Sequence, residues 1–443
     1  TDFGRFRLGK GIVFGKDTPN FIGNRIGTFG MAATINAMVD MDYQVDEVDA
    51  ITGPAMGHPG SASFGTADLV GIDVLAHVVK TIYDGCPDDP QRDVFQVPEF
   101  IAKMIEAGSL GRKTKAKGGF YRMQKEDDGS KTKLVIDWKT GDYRPKVRPD
   151  IPSLKKAKKT HDVKQRLQDV TFADDRAGEF AWRLMRDTLA YTSDRLGEIS
   201  DSIVEIDNAL RWGYNWDLGP FETWDVLGVK KVVDKMEADG VKPAAWVTDM
   251  LAAGHESFYL ESATGRQYYD AKSKGYVDEP RPETFLFFKE IKRDEKNVVY
   301  SNKGASLVDL GDGIACVEFH SALQPRMNPI DEYISEVMAK GVEIAERDFR
   351  GLVIHHQGEN FSAGANLLMV LEAIKADQWG TIDEMIRAFQ GITTGLRKAR
   401  VPVITAPFAY AFGGGCEITM GGDRVCAAAE TYIGLVEVGV GLI

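Results

Sequence analysis

Phe412-Gly413-Gly414-Gly415-Cys416-Glu417-Ile418-Thr419-Met420 reads as a strand that runs into three glycines and then a helix. Glycine lets a backbone approach a ligand closely, and the first turn of a helix presents unpaired N–H groups at the favourable end of its dipole. Such a turn suits an anion, either a phosphate or a developing oxyanion, although tight turns before helices also use glycine. The stretch does not match G-x-x-x-x-G-K-[ST], which excludes a P-loop. No G-x-G-x-x-G follows a strand anywhere in the chain, so a complete dinucleotide-binding unit is absent from it.

Outward from this turn, strands alternate with helices. Ile314-Ala315-Cys316-Val317-Glu318-Phe319, Leu352-Val353-Ile354 and Val403-Ile404-Thr405 read as strands. Asn328-Pro329 offers an N-cap and a first-turn proline for a helix through Ile334, Met338 and Val342. Thr381-Ile382-Asp383-Glu384 reads as a capping box opening a helix whose buried face is Met385, Phe389, Ile392 and Leu396. The alternation predicts an α/β domain. A second small-residue turn, Phe361-Ser362-Ala363-Gly364-Ala365-Asn366-Leu367, follows the middle strand and again lets backbone N–H groups reach a ligand. Glu417 lies in the first turn after the glycines. Glu437 sits between Val436 and Val438, where burial would raise its pKa, and two facing carboxylates would push their values apart. Taken singly, Glu417 also reads as a helix-dipole partner and Glu437 as an ordinary strand residue.

Upstream of about residue 290 the pattern is helical, and it repeats. Glu47-Val48-Asp49-Ala50-Ile51 recurs as Glu205-Ile206-Asp207-Asn208-Ala209. Phe64, Thr66, Asp68 and Gly71 recur as Phe221, Thr223, Asp225 and Gly228, one residue out of step with the first offset. That slip is what a duplicated module with one loop indel gives. Ile22, Ile26, Phe29 and Ala33 line one helix face. Between the copies, Arg144-Pro145-Lys146, Arg148-Pro149 and Lys155-Lys156-Ala157-Lys158-Lys159 lie in a stretch without periodicity, which reads as a solvated linker. The expected organisation is therefore a first helical module over 1–125, a basic linker over 126–175, a second helical module over 176–290 and an α/β module over 291–443.

At 443 residues, about three domains are expected. The formal net charge of −12 argues against a general nucleic-acid binder, though not against an anionic ligand held locally. The four cysteines (Cys86, Cys316, Cys416, Cys426) have no metal-like spacing and read as reduced thiols of a cytoplasmic protein. The uncharged run from Val401 to Cys416 is too short, and too rich in Gly and Pro, to span a bilayer. His58 and His320 are isolated. His355 and His356 lie on a strand and face opposite ways, so they cannot chelate one metal; no metal site is expected.

With these motifs in place, residues from about 300 to 443 resemble the enoyl-CoA hydratase/isomerase (crotonase) family. The resemblance rests on Phe361 to Leu367, on Ala411 to Glu417 and on Glu437. It implies an oxyanion hole from the N–H groups of Ala365 and Gly414, catalytic glutamates at Glu417 and Glu437, and recognition of the coenzyme A adenine near Ala363. Asn366 departs from the aspartate common in that family. The N-terminal part looks like the helical C-terminal domain of 3-hydroxyacyl-CoA dehydrogenases, carried by Gly9 to Ile26, Phe64 to Gly71, Gly111 to Thr114 and Gly119 to Tyr121. The second copy, with Leu218-Gly219-Pro220-Phe221-Glu222-Thr223-Trp224-Asp225-Val226-Leu227-Gly228, is in the same style. Asn24 matches that family's substrate-contacting asparagine; read alone, it equally caps or crosslinks helices.

The two resemblances imply duplicated all-α dehydrogenase C-terminal-like modules followed by an α/β crotonase-like domain, a multidomain fusion of fatty-acid β-oxidation. They imply hydration of trans-2-enoyl-CoA to 3-hydroxyacyl-CoA, with NAD-dependent oxidation of the product in a longer protein. NAD would be bound by a Rossmann domain upstream of Thr1, coenzyme A enters as part of the substrate, and the α/β domain is expected to continue past Ile443. An acyl-CoA substrate, a homo-oligomer paired through the helical modules and a thiolase subunit are the partners implied, with no nucleic acid and no membrane span. Two rivals stay open: an isomerase or acyl-CoA hydrolase of the same family, and a non-catalytic dimerisation or channelling scaffold.

Overall fold

The computed structural model describes residues 1–115, 117–262, 265–282, 284–322 and 324–441. The chain forms two units: residues 11–279, and residues 280–443 together with residues 1–10.

In the first of these, one copy of the repeat comprises α1 (Gly23–Asp40), α2 (Val45–Thr52), α3 (Ala62–Val70), α4 (Ile72–Gly85) and α5 (Glu99–Glu106). An antiparallel meander of β1 (Tyr121–Lys125), β2 (Lys131–Ile136) and β3 (Tyr143–Pro145) closes it. After α6 (Pro152–Ala157) and α7 (Val163–Thr171), the order recurs as α8 (Arg176–Arg195), α9 (Ile203–Tyr214), α10 (Pro220–Leu227), α11 (Val229–Ala238) and α12 (Ala245–Ala252). The second meander is β4 (Tyr259–Ser262), β5 (Gly265–Asp270) and β6 (Gly275–Asp278). Ile22, Ile26, Phe29 and Ala33 are all buried, as their shared helix face requires.

The repeated aspartates explain why the repeat persists. Asp49 accepts from the N–H groups of Phe64 and Gly65 and from the Tyr121 hydroxyl. Asp207 accepts from the N–H groups of Phe221 and Glu222 and from the Tyr259 hydroxyl. Asp68 takes the N–H groups of Phe120 and Tyr121, and Asp225 those of Phe258 and Tyr259. In each copy, two carboxylates thus satisfy the start of one helix and pin the meander to the helices. The copies share one core, which runs from Ile22 to Tyr269. Arg25, fully buried on α1, donates to Tyr191 on α8 and pairs with Asp89 at 2.7 Å and with Glu198 at 3.0 Å. A charge buried this deeply persists only when paired.

Asp225→Ala is expected to destabilise the chain by about 2–6 kcal/mol, because two part-buried N–H donors lose their acceptor at about 1–3 kcal/mol each. Urea unfolding measures it, and an unchanged midpoint would refute the bracing role. Burial pushes the Asp225 carboxyl up to about 7, against the amides that favour its ionised form. A native pKa raised this way means the folded state holds the proton more tightly. The stability it contributes is complete below the ordinary carboxylate range and is lost as pH rises through about 7. Asp225→Asn should flatten that part of the pH profile.

Three expectations are corrected here. The modules are not all-helical, since each copy ends in a three-stranded meander. The stretch 126–175 is no linker: Val135, Ile136, Ile151, Leu167 and Val170 are buried in the shared core. Its basic residues are exposed or paired, as Arg144 is with Asp46 at 2.7 Å and Lys156 with Asp169 at 3.0 Å, so charge masked the few apolar anchors. Residues 1–10 pack with the α/β unit and not with the first helical module. Phe6 meets Phe285 edge-on at 6.4 Å, and Lys10 pairs with Glu430 at 2.7 Å.

The α/β unit opens with α13 (Phe288–Ile291), then β7 (Val298–Ser301), β8 (Ala305–Asp309) and β9 (Ile314–Phe319). Next come α14 (Glu332–Asp348), β10 (Gly351–Ile354), α15 (Leu367–Lys375), α16 (Trp379–Lys398), β11 (Val403–Thr405) and β12 (Tyr410–Phe412). The last elements are α17 (Gly414–Gly421), β13 (Arg424–Val425) and β14 (Tyr432–Gly434). Six strands form one sheet in the order β13-β11-β10-β9-β8-β7, parallel from β13 to β9 and antiparallel beyond, and β12 pairs with β14 in parallel. The helix α14 crosses from β9 to β10 and buries Ile334, Val337 and Met338. It lies so close to the sheet that a Cβ on Gly341 would stand 2.7 Å from Val317 Cγ2.

Two helix starts differ from the sequence reading. Asp331, not Asn328, caps α14 by accepting from Ile334 N–H. Asn328 is instead fully buried and holds the loops beside it. The Thr381 to Glu384 capping box lies inside α16, which begins at Trp379 without a side-chain cap. The chain leaves α15 through Asp377 at positive φ, and Asp377 takes the Trp379 indole N–H at 2.6 Å, which fixes the earlier start. Ile392 and Leu396 are buried on α16, whereas Met385 and Phe389 are half-buried.

Candidate active site

Two backbone turns meet at the C-terminal ends of the sheet strands. Ser362 N–H donates to Tyr410 O and Phe412 N–H donates to Ser362 O, each at 2.9 Å, so the 361–365 turn runs alongside β12. On its other side, Ile330 N–H donates to Gly364 O and Ala363 N–H to Met327 O, each at 2.8 Å. Glycine is required at the point of closest approach. Gly364 has φ +93, and a Cβ there would stand 2.9 Å from Phe412 O and 3.0 Å from Gly414 N. Gly413 has φ +51, and a Cβ there would lie 2.9 Å from Glu437 Oε1. Side chains at these positions would separate the turns and displace the carboxylate.

The N–H groups of Ala365 and Gly414 result from this closeness. Gly364 packs against the Gly414 amide, and Gly414 is the first residue of α17, whose N–H has no helical acceptor. Among the described residues neither amide has an acceptor. Two free donors beside a helix start can hold a carbonyl oxygen on which negative charge develops.

The carboxylates are the second component. Glu417 sits one turn into α17, and its N–H bonds Gly413 O at 3.0 Å. Burial pushes its carboxyl above the ordinary value, and the Glu437 charge adds to the push. Glu437 is half-buried, and the reading of it as an alternating strand residue is corrected. It opens a short 3-10 turn, Glu437–Val440, and its neighbour Val438 is 74% exposed. The apolar neighbours that suggested burial point outward from a turn, where alternation carries no information about side-chain facing. Even so, Gly413 and Glu437 meet, and Gly413 N–H donates to Gly434 O at 2.9 Å, which ties the Glu437 segment to the glycine turn.

Further residues complete the site. Phe389 Cζ stands 3.0 Å, and Ile330 Cδ1 3.4 Å, from where a Gly414 side chain would begin, so they form an apolar wall. The Ser362 hydroxyl accepts from Gly364 N–H at 3.0 Å and supports the turn. Behind it, Asn328 donates to Phe361 O at 3.0 Å. His356 Nδ1 accepts from Gly358 N–H, so Nε2 carries the proton and donates to Phe361 O at 2.9 Å. Burial lowers His356 to about 4 and keeps it neutral. Asn328 and His356 are signalled in sequence only as polar residues beside apolar ones. Asn366 caps α15 by accepting from Leu368 N–H. His355 donates to or accepts from Ala406 O and shares no ligand set with His356; among the described residues no cluster could hold a metal ion. Asn24 lies in the other unit, exposed, with its Oδ1 accepting from the Tyr214 hydroxyl at 3.0 Å.

The two unpaired amides and the glutamates near them form the candidate site of this mixed α/β sheet. Two regions match family models: residues 21–123 that of the 3-hydroxyacyl-CoA dehydrogenase, C-terminal domain, and residues 310–443 that of the enoyl-CoA hydratase/isomerase family. A Bacillus subtilis (strain 168) protein named "Probable 3-hydroxyacyl-CoA dehydrogenase" is 42% identical over 443 residues, covering 100% of this chain and 54% of that protein. A Rickettsia prowazekii (strain Madrid E) protein named "Putative fatty acid oxidation complex trifunctional enzyme" is 26% identical over 437 residues, covering 98% of this chain and 55% of that protein. Among solved structures, an enoyl-CoA hydratase from Shewanella pealeana matches 34% of this chain and 55% of that chain at 26% identity and a TM-score of 0.30. The chain spans about half the length of the curated relatives it matches. Among the described residues no single helix is long and apolar enough to cross a membrane.

Proposed function

We propose that residues 310–443 hydrate trans-2-enoyl-CoA to 3-hydroxyacyl-CoA, within a longer fatty-acid β-oxidation enzyme that also oxidises the product. The observation that carries this reading is the pair of unpaired amides, Ala365 and Gly414, closed against two glutamates by Gly364 and Gly413. The thioester carbonyl sits between the two amides, which stabilise the enolate oxygen more than the ground-state carbonyl. Glu417 and Glu437 hold a water; its hydroxyl adds to the β-carbon as a proton reaches the α-carbon. The raised Glu417 carboxyl suits the proton-carrying role. The backbone at Ala363, within the 361–365 turn, is proposed to read the adenine of coenzyme A.

Asn24, exposed on α1, is proposed as the substrate contact of the dehydrogenase half. NAD is the cofactor implied for that half. No glycine-rich dinucleotide turn follows a strand in these residues, so they do not fit that group and no step through it is derived for this chain. A homo-oligomer, a thiolase subunit as partner and a cytoplasmic location are proposed for the longer protein.

The test is conversion of trans-2-butenoyl-CoA to 3-hydroxybutyryl-CoA by the chain and by Glu437→Gln. Hydration by the parent, reduced about 100- to 10,000-fold in the variant, fits two working carboxylates. A Glu437→Gln chain that still moves the double bond of 3-enoyl-CoA, and a parent that never hydrates, would favour the isomerase instead.

A further inference from the structure

Equivalent places in the two meanders of residues 11–279 carry opposite charge. In the second copy, Arg266 on β5 lies over the Tyr259 ring at 3.6 Å and is neutralised by Glu222 at 2.7 Å and Glu279 at 3.8 Å. Arg211 reaches the same Glu222 carboxylate at 3.5 Å. In the first copy, Lys133 on β2 takes the place of Arg266. It stands over the Tyr121 ring at 4.0 Å and pairs across the strands with Met123, as Arg266 does with Glu261. Lys146 takes the place of Glu279, because Lys146 N–H donates to Lys133 O as Glu279 N–H donates to Arg266 O. Its ammonium lies 5.3 Å from the centre of the same Tyr121 ring. Gly65 takes the place of Glu222, between Phe64 and Thr66 where the second copy has Phe221 and Thr223.

A cation with two carboxylate partners has thus been replaced by two cations with none. Among the described residues Lys133, Lys146 and Arg112 have no ion-pair partner, whereas Lys113, beside Arg112, is taken by Asp73. The carboxylates close to Tyr121 are already engaged: Asp49 by two backbone amides and the Tyr121 hydroxyl, and Asp68 by two further amides. Burial, followed by the charges of Lys146 and Arg112, holds the Lys133 ammonium below its ordinary value, with Asp49 and Asp68 acting the other way. Like charges on neighbouring strands destabilise a sheet, so an anion between these cations would be stabilising. There is room for one. Where Glu222 fills the second copy, Gly65 has no side chain, and a Cβ there would meet its nearest neighbours only at 3.7 Å.

We infer that Arg112, Lys133 and Lys146 form an anion site on the first meander, which takes the phosphate group of a small ligand where the second copy supplies its own Glu222 carboxylate. A phosphate suits it better than a carboxylate. Three cations without a counter-charge match a dianion, and its tetrahedral oxygens accept from several directions at once. The overall charge of −12 does not oppose this, since charges beyond about 8 Å are largely screened at physiological salt and the local cations decide. The site is separate from the glutamates and amides of residues 310–443 and does not depend on the reaction proposed for them.

The experiment titrates the whole chain into inorganic phosphate and, separately, into phenyl phosphate, at an ionic strength held constant with chloride, and follows the phosphorus-31 NMR line width. Saturable broadening is expected. Equal affinity for the two probes shows that the phosphate group alone is recognised, and tighter binding of phenyl phosphate shows that the site takes a phosphate monoester. Lys133→Gln and Lys146→Gln should each weaken binding about tenfold or more, the loss of one charge-assisted hydrogen bond. Both side chains are exposed, so these substitutions leave the core intact, and circular dichroism checks the fold. Gly65→Glu gives the first copy the carboxylate of the second. It should displace phosphate and raise the melting temperature, because it neutralises the lysines and replaces a glycine inside α3. Broadening that never saturates, or affinity unchanged in folded Lys133→Gln and Lys146→Gln chains, overturns the site.

Discussion

Glu417→Gln is expected to slow hydration of trans-2-butenoyl-CoA by about 100- to 10,000-fold, the range for a positioned general acid or base. The substitution keeps the side chain's size and removes only its ability to carry the proton. Glu417 is exposed on α17, and no side-chain hydrogen bond of the described fold depends on it. The expected change is therefore confined to kcat, with KM and thermal stability close to the parent's. Its pH profile provides a second readout. The Glu437 charge contributes to raising the Glu417 carboxyl, so Glu437→Gln should move the Glu417 titration to lower pH. Carbon-13 NMR of labelled glutamate reports it directly. A Glu417→Gln chain that hydrates at the parent rate would reduce Glu417 to a partner of the helix dipole.

Gly414→Pro is expected to lower the same rate about 100- to 1,000-fold by deleting one of the two amide donors. Position N1 of a helix tolerates proline, because its N–H is unpaired in the helix in any case. Added bulk is the confounding effect, since a Cβ at 414 meets Phe389 Cζ at 3.0 Å. Gly414→Ala brings the same carbon and keeps the N–H, so the difference between the two variants isolates the donor. Equal rates for the alanine and proline variants would remove Gly414 from the oxyanion hole.

The parts of this structure legible in the sequence are those fixed by local constraints. The glycine turn reads correctly because Gly413 and Gly364 sit where backbones touch, which leaves side chains no room. The duplication reads correctly because Asp49 and Asp207, and Asp68 and Asp225, each make the same bonds in both copies. What failed depended on tertiary context. The meander strand Lys131–Ile136 buries only its last residues, so its leading lysines hid it inside an apparent linker. The Thr381 to Glu384 pattern is a sound cap that the preceding turn overrode. Glu437 is half-buried but sits in a 3-10 turn and not a strand, because a neighbouring backbone, and not its flanking valines, places it.

His58 and Trp216 occupy equivalent places in the two copies, each directly after a left-handed helix cap, and their rings stack at 4.3 Å. Equivalent residues meeting each other is the mark of a self-complementary interface between two like halves. With both halves on one chain, their pairing is a first-order process that dilution does not undo, whereas two separate copies would part as concentration falls. Fusion also releases each half from having to match the other. A mutation in a true dimer changes both sides of the axis at once; here one side holds an imidazole and the other an indole.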